Sequence, residues 1–109
     1  MAAQVWPINI VAGASHASFV PDVYVPPGKP VPTSLQAKLG DAVSWYNDTN
    51  DEHQIWQSGT TPVQLTDPIA PHTSSFPAYI VALPGTATTG TINYYCSKHA
   101  AETGAIDVV

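Results

Sequence analysis

An all-β fold follows from three features of this 109-residue sequence. Eleven prolines and seven glycines interrupt the chain so often that no stretch keeps a helical period for three turns. Short runs instead alternate apolar and polar residues with a period of two. Turn residues separate those runs at close intervals, and about seven or eight short strands of this kind predict an antiparallel β-sandwich or barrel.

The elements follow in order. Residues 5–11 combine β-branched residues with Trp6 and read as a first strand. Residues 20–25 read as a second, which Pro21 marks as an edge or a strand start. Pro26-Pro27-Gly28-Lys29-Pro30 is a surface link, and residues 34–38 offer only a short turn. After the turn Gly40-Asp41, residues 42–47 alternate, with Val43 and Trp45 facing away from Ser44 and Tyr46. A polar loop precedes His53, and residues 53–57 resume a strand. Two further strands are expected at 74–76 and 78–83. Residues 91–96 alternate most clearly and put Ile92, Tyr94 and Cys96 on one face. Residues 105–109 close the chain as a last strand.

The length fits a single domain over 1–109 and suffices for one core without disulfide staples. Three lysines, no arginine and eight acidic residues give a formal net charge of −5. That balance argues against nucleic acid or an anionic membrane surface, both of which need clustered basic residues. It fits a cationic partner, an extracytoplasmic setting or simple solubility. No apolar run is long enough to span a bilayer. The first residues lack a basic n-region and read straight into a strand, so either the protein is cytoplasmic or a leader or anchor has been removed.

One cysteine cannot form an intramolecular disulfide, and its neighbourhood gives it another use. Cys96-Ser97-Lys98-His99 is a Cys-x2-His pair where a strand runs into a loop, and His53 stands far upstream at the start of another strand. One thiolate and two imidazoles make the His2Cys set of type 1 copper sites. Zinc is the rival, but a structural zinc site usually brings more cysteines and close pairs at both ends.

The residues around these ligands resemble those of the cupredoxins, the small blue copper proteins. Leu39-Gly40-Asp41-Ala42-Val43-Ser44-Trp45-Tyr46-Asn47, five residues and then His53, resembles the first ligand segment of plastocyanins and amicyanins. Gly90-Thr91-Ile92-Asn93-Tyr94-Tyr95-Cys96-Ser97-Lys98-His99 resembles the second, and Gly104-Ala105-Ile106-Asp107-Val108 the closing strand. The resemblance implies a Greek-key β-sandwich holding one copper ion on His53, Cys96 and His99.

The sequence departs from that family at the weak axial ligand, normally a methionine soon after the second histidine. The one methionine here is Met1. On an amicyanin-like short loop the axial position falls without a gap on Glu102. On a plastocyanin-like longer loop it falls on Gly104, which has no side chain. The alternatives for Glu102 are direct or water-mediated approach to copper, or a solvated loop carboxylate. A carboxylate favours Cu(II) over Cu(I), and each ~1.4 kcal/mol of such preference lowers a one-electron potential by about 60 mV. A turned-away Glu102 leaves the axial face open to water or a small ligand. Either case predicts a red, green or purple centre, and the site type resembles the red and purple cupredoxins of ammonia oxidisers.

The resemblance also implies supporting roles. Asn47 stands where the family's Asn ties the ligand loops together. Gln54 replaces a frequent Asn, a change expected to disturb the hydrogen bond between those loops. Ser97 is placed to brace the Cys96 loop, and Lys98 stands where several members have Pro, which implies a less rigid loop. Asp48, Asp51 and Glu52 are either a solvated loop or an acidic rim for a cationic redox partner. His16 and His72 read as surface or half-buried residues, and Trp45 and Trp56 as core.

The function implied is one-electron transfer to a redox partner protein, in the periplasm or another extracytoplasmic space, with the edge of His99 as the electron port. Two alternatives remain. One is redox chemistry on a small ligand such as nitric oxide or nitrite at an open site, with Glu102 as base. The other is copper storage or delivery, which usually needs more Met and Cys.

Overall fold

The computed structural model describes residues 4–109. Among these, nine strands form two sheets and there is no helix. They are β1 (Val5–Val11), β2 (Ser18–Pro21), β3 (Leu35–Ala37), β4 (Ala42–Asp48), β5 (Ile55–Gln57), β6 (Val63–Gln64), β7 (Tyr79–Ile80), β8 (Gly90–Cys96) and β9 (His99–Val108). One sheet runs β2-β1-β4-β7 and the other β3-β9-β8-β5-β6. No helix among the described residues is long and apolar enough to cross a membrane.

The alternation read from the sequence sets the core. Val43 and Trp45 of β4 point inward, as do Ile92, Tyr94 and Cys96 of β8 and Ile106 and Val108 of β9. Ile8, Ile10, Leu35, Ile55 and Ile69 complete the apolar layer between the sheets. Tyr94 is its hub, with Trp45 edge-on at 5.2 Å and Phe19 at 4.9 Å between ring centroids. Such edge-to-face pairs add about 0.5–1.5 kcal/mol each beyond area burial. Burial pushes the Tyr94 phenol well above the ordinary tyrosine range. A Cβ at Gly104, on the facing rung of β9, would overlap the Tyr94 ring, with Cε1 at 2.7 Å. The glycine is therefore required by packing.

Several expectations need correction. The sheets are mixed rather than antiparallel: β1 runs parallel to β4, and β3 parallel to β9. Both parallel pairs join strands that are not consecutive, because parallel neighbours need a crossover connection between them. The second strand occupies Ser18–Pro21 rather than 20–25, so Pro21 ends it; β2 is indeed an edge. The expected turn at 34–38 is strand β3, because Leu35 and Ala37 bury against β9. The strands expected at 74–76 and 78–83 shrink to a bridge at Ser74 and to Tyr79–Ile80. Trp56 is half-buried rather than core.

Asp41 locks the first sheet to the β3–β4 turn. Its carboxylate accepts hydrogen bonds from the Lys38 amide (2.9 Å), the Trp6 indole (2.9 Å) and the Gln4 amide (3.0 Å). These donors, the Lys38 amide foremost, hold its pKa below the ordinary aspartate value of 3.8. A depressed carboxylate contributes stability that is complete above its unfolded pKa and is lost as pH falls through the folded value. Urea midpoints of the copper-free protein should therefore fall as pH drops below about 4, and less steeply in Asp41→Asn. The variant should also be the less stable at neutral pH. Equal slopes in the two proteins would remove Asp41 from this role.

Candidate metal centre

At one end of the sandwich three segments converge. Asn47, the last buried residue of β4, organises the first. Its side-chain amide donates to the carbonyls of Asp51 (2.7 Å) and Ile69 (3.0 Å), and its Oδ1 accepts from the Thr49 amide and hydroxyl. The polar loop is thereby folded back so that His53, paired through its backbone with Ile69, turns its ring inward. His53 is 1% exposed. Burial pushes its imidazole below the ordinary histidine range, against an opposing pull from Glu102, so the ring is favoured in the neutral form that can ligate.

Thr49 decides which nitrogen is available. Its hydroxyl donates to Asn47 Oδ1 (2.6 Å) and lies 2.9 Å from His53 Nε2. With its proton directed to Asn47 Oδ1 or the Asp51 carbonyl (3.1 Å), Thr49 Oγ1 is assigned as acceptor from His53, an assignment that puts the imidazole hydrogen on Nε2 and leaves the Nδ1 lone pair for a metal. Thr49 was legible only as part of a polar loop. Its role needed the loop's folded path.

Strand β8 supplies the second segment. Cys96 is fully buried at its end, with Sγ 3.3 Å from His53 Nδ1 and accepting a long hydrogen bond from the Gln54 amide at 3.5 Å. Gln54 does not disturb the link between the loops. Its carbonyl accepts from the Ser97 amide (2.9 Å) and its side-chain oxygen from the Ser97 hydroxyl (3.1 Å). This pair, not Asn47, joins the His53 and Cys96 loops. Lys98 adds an exposed ion pair to Glu52 at 3.1 Å, a contact worth about 0–1 kcal/mol.

The third segment, expected to be loop, belongs to β9. His99 pairs with Cys96 and Thr103 with Tyr95, and residues 100–102 bulge out between these rungs. The bulge carries Glu102 inward. Its side chain is 3% exposed, which rules out the solvated carboxylate. Oε1 lies 3.0 Å from His53 Nδ1 and 3.4 Å from His99 Nδ1, while Oε2 accepts from the Ala17 amide at 2.6 Å. Gly104, the other axial alternative, packs on Tyr94 instead. His16 lies in the β1–β2 loop beside the centre, with Nδ1 2.9 Å from the Ala17 carbonyl, and His72 lies at the surface 3.7 Å from Asp48.

His53, Cys96, His99 and Glu102 thus bring four donor atoms within 4.8 Å of one another. Donors about 2.0–2.3 Å from one ion stand roughly 3.3–3.8 Å apart. The 3.3 Å from His53 Nδ1 to Sγ, the 3.8 Å from Sγ to His99 Nδ1 and the 3.4 Å from His99 to Glu102 fall in that range, while the 3.0 Å from His53 Nδ1 to Glu102 Oε1 lies just below it. Glu102 Oε1 is buried and makes no hydrogen bond among the described residues, despite its imidazole neighbours. A buried carboxylate oxygen without a donor is costly, and a cation among these four atoms would satisfy it. The residues fit a metal ion.

No family model matches the chain, and no curated protein does. Solved structures do. A mutant amicyanin in its Cu(I) state superposes with a TM-score of 0.65 at 15% identity, covering 97% of this chain and 83% of that one. A purple cupredoxin from Nitrosopumilus maritimus gives 0.64 at 22% identity, covering 94% and 98%. The fold is that of a cupredoxin. On this scaffold the His-Cys-His-Glu group sits at the end of the sandwich where the three segments meet.

Proposed function

We propose that this chain is a type 1 copper protein that carries single electrons, with Glu102 in the axial place of methionine. The observation behind the proposal is the four-donor group, three of its members buried and one reaching the surface. Bound copper would supply a one-electron exchange between Cu(II) and Cu(I). Cys96 offers the soft, electron-delocalising thiolate, His53 and His99 the imidazoles, and Glu102 a hard oxygen favouring the oxidised state. His99, 40% exposed and followed by exposed Ala100 and Ala101, gives the electron its way out. Small residues around that edge let a partner approach closely, and transient redox encounters need little buried area.

Exposed Asp48, Asp51 and Glu52 flank the same end and suit a cationic redox protein, although Glu52 is partly neutralised by Lys98. A periplasmic or other extracytoplasmic location belongs to the proposal, since the sole thiol is shielded from an oxidising medium.

Titration with Cu(II), followed by visible and EPR spectra, tests this reading. One equivalent should produce an intense thiolate-to-copper band at a position different from an ordinary blue centre. Binding without such a band would sink the proposal and favour a zinc or storage site.

A second reading has its own observation. A cavity of about 350 Å3 borders His53, His99 and Glu102 and is walled by the β1–β2 loop and Ala100–Ala101. It has room for a small redox ligand such as nitric oxide or nitrite beside the centre. A spectrum that changes on adding azide or nitric oxide would favour this reading; an inert spectrum would count against it.

A further inference from the structure

The β1–β2 loop, residues 12–17, has no part in the ligand set, yet it touches the one ligand that sets this centre apart. Glu102 Oε2 accepts the Ala17 amide at 2.6 Å, in a buried, charge-assisted hydrogen bond between positions 85 residues apart. Oε1 is left with no hydrogen bond among the described residues. The two oxygens have divided roles, one tied to the backbone and one presented to the four-donor group.

A free glutamate side chain has three rotatable bonds and could turn either oxygen, or neither, to the centre. The Ala17 amide removes that choice. Its position depends on a tight fold of the loop: a Cβ at Gly13 would strike the His16 carbonyl oxygen, so the chain closes on itself there only with glycine. His16 braces the same turn, its Nδ1 lying 2.9 Å from the Ala17 carbonyl.

We infer that the β1–β2 loop is the positioning element of the axial carboxylate, with the Ala17 amide aiming Glu102 Oε1 at the metal as a one-oxygen ligand and Gly13 permitting the approach. The inference rests on the reading of Glu102 as an axial ligand. It makes the character of the centre depend on a loop that contributes no ligand.

The test compares Ala17→Pro, which deletes the amide donor, Gly13→Ala, which displaces the turn, and Ala17→Gly, which keeps the amide, with wild type and Glu102→Gln. Each is loaded with one equivalent of Cu(II) for visible and EPR spectra and a reduction potential. Far-UV circular dichroism checks folding, and Gly13→Ala serves if Ala17→Pro does not fold. Both loop variants should shift the spectrum and raise the potential in the direction of Glu102→Gln, while Ala17→Gly stays at wild type. In the copper-free protein the Ala17 amide should exchange with solvent slowly, and at least tenfold faster in Glu102→Ala.

If Glu102→Gln shifts the centre and the loop variants do not, the loop does no aiming and the inference fails while the axial reading stands. A lowered potential in the loop variants would also overturn it, because the carboxylate would then still be bound. If Glu102→Gln itself changes nothing, the axial reading falls and takes the inference with it. Equal Ala17 exchange with and without the carboxylate would remove the hydrogen bond on which both roles depend.

Discussion

In Cys96→Ala the intense visible band proposed for the Cu(II)-loaded protein should disappear completely, and copper that still binds should give only the weak absorption of a nitrogen and oxygen site. Cys96 is the chain's one thiol, so no neighbour can replace it. Its Sγ stands between His53 Nδ1 at 3.3 Å and His99 Nδ1 at 3.8 Å. Without it the remaining donors are two imidazoles and a carboxylate, a harder set that holds Cu(II) and gives little to Cu(I). The copper-free fold should survive, because losing one sulfur leaves a small cavity at the rim of the core. Circular dichroism of the copper-free variant separates loss of the ligand from loss of the fold. A band that persists in Cys96→Ala would show that the absorption does not come from a thiolate.

Glu102→Met should give the second largest effect, a rise in reduction potential of about 60–180 mV, equal to one to three decades in the preference for Cu(II) over Cu(I). The carboxylate is almost wholly buried, and its Oε1 accepts no hydrogen bond among the described residues. Its charge is therefore poorly screened and favours the ion of higher charge. A thioether carries no charge and favours the softer reduced ion. The spectrum should move toward that of an ordinary blue centre. Protein-film voltammetry of the two proteins reads the shift, and equal potentials would place Glu102 outside the reach of the metal.

Much of this was legible in the sequence. The alternation in 42–47 and 91–96 marks β4 and β8 and the residues that share a face in each, and burial in the folded chain decides which face is inward. The spacings from Asn47 to His53 and from Cys96 to His99 identified the donors that the structure brings together. What the sequence hid is non-local. Strand β3 has too few residues to show a period and exists because β9 covers it. The segment from His99 to Glu102, with its two alanines, has no β-branched residue and reads as loop, yet it is held at both ends by rungs to β8. The supports of the centre, Thr49 on His53 and the Ala17 amide on Glu102, are made by groups of no chemical distinction in the sequence. Only the folded paths of their loops bring them to the ligands.

The bulge in β9 also bears on how such a centre can change over generations. Residues 100–102 leave the ladder after the His99 rung, and the strand rejoins it at Thr103. An insertion or deletion in that interval can be absorbed as a longer or shorter bulge. Ile106 and Val108 would keep their register, and with it the core. One or two residues more or fewer there would alter which atom faces the ion while sparing the sandwich. The scaffold can thus survey different donor sets at this end of the sandwich at little cost to stability, and a lineage can change the group without first refolding the domain.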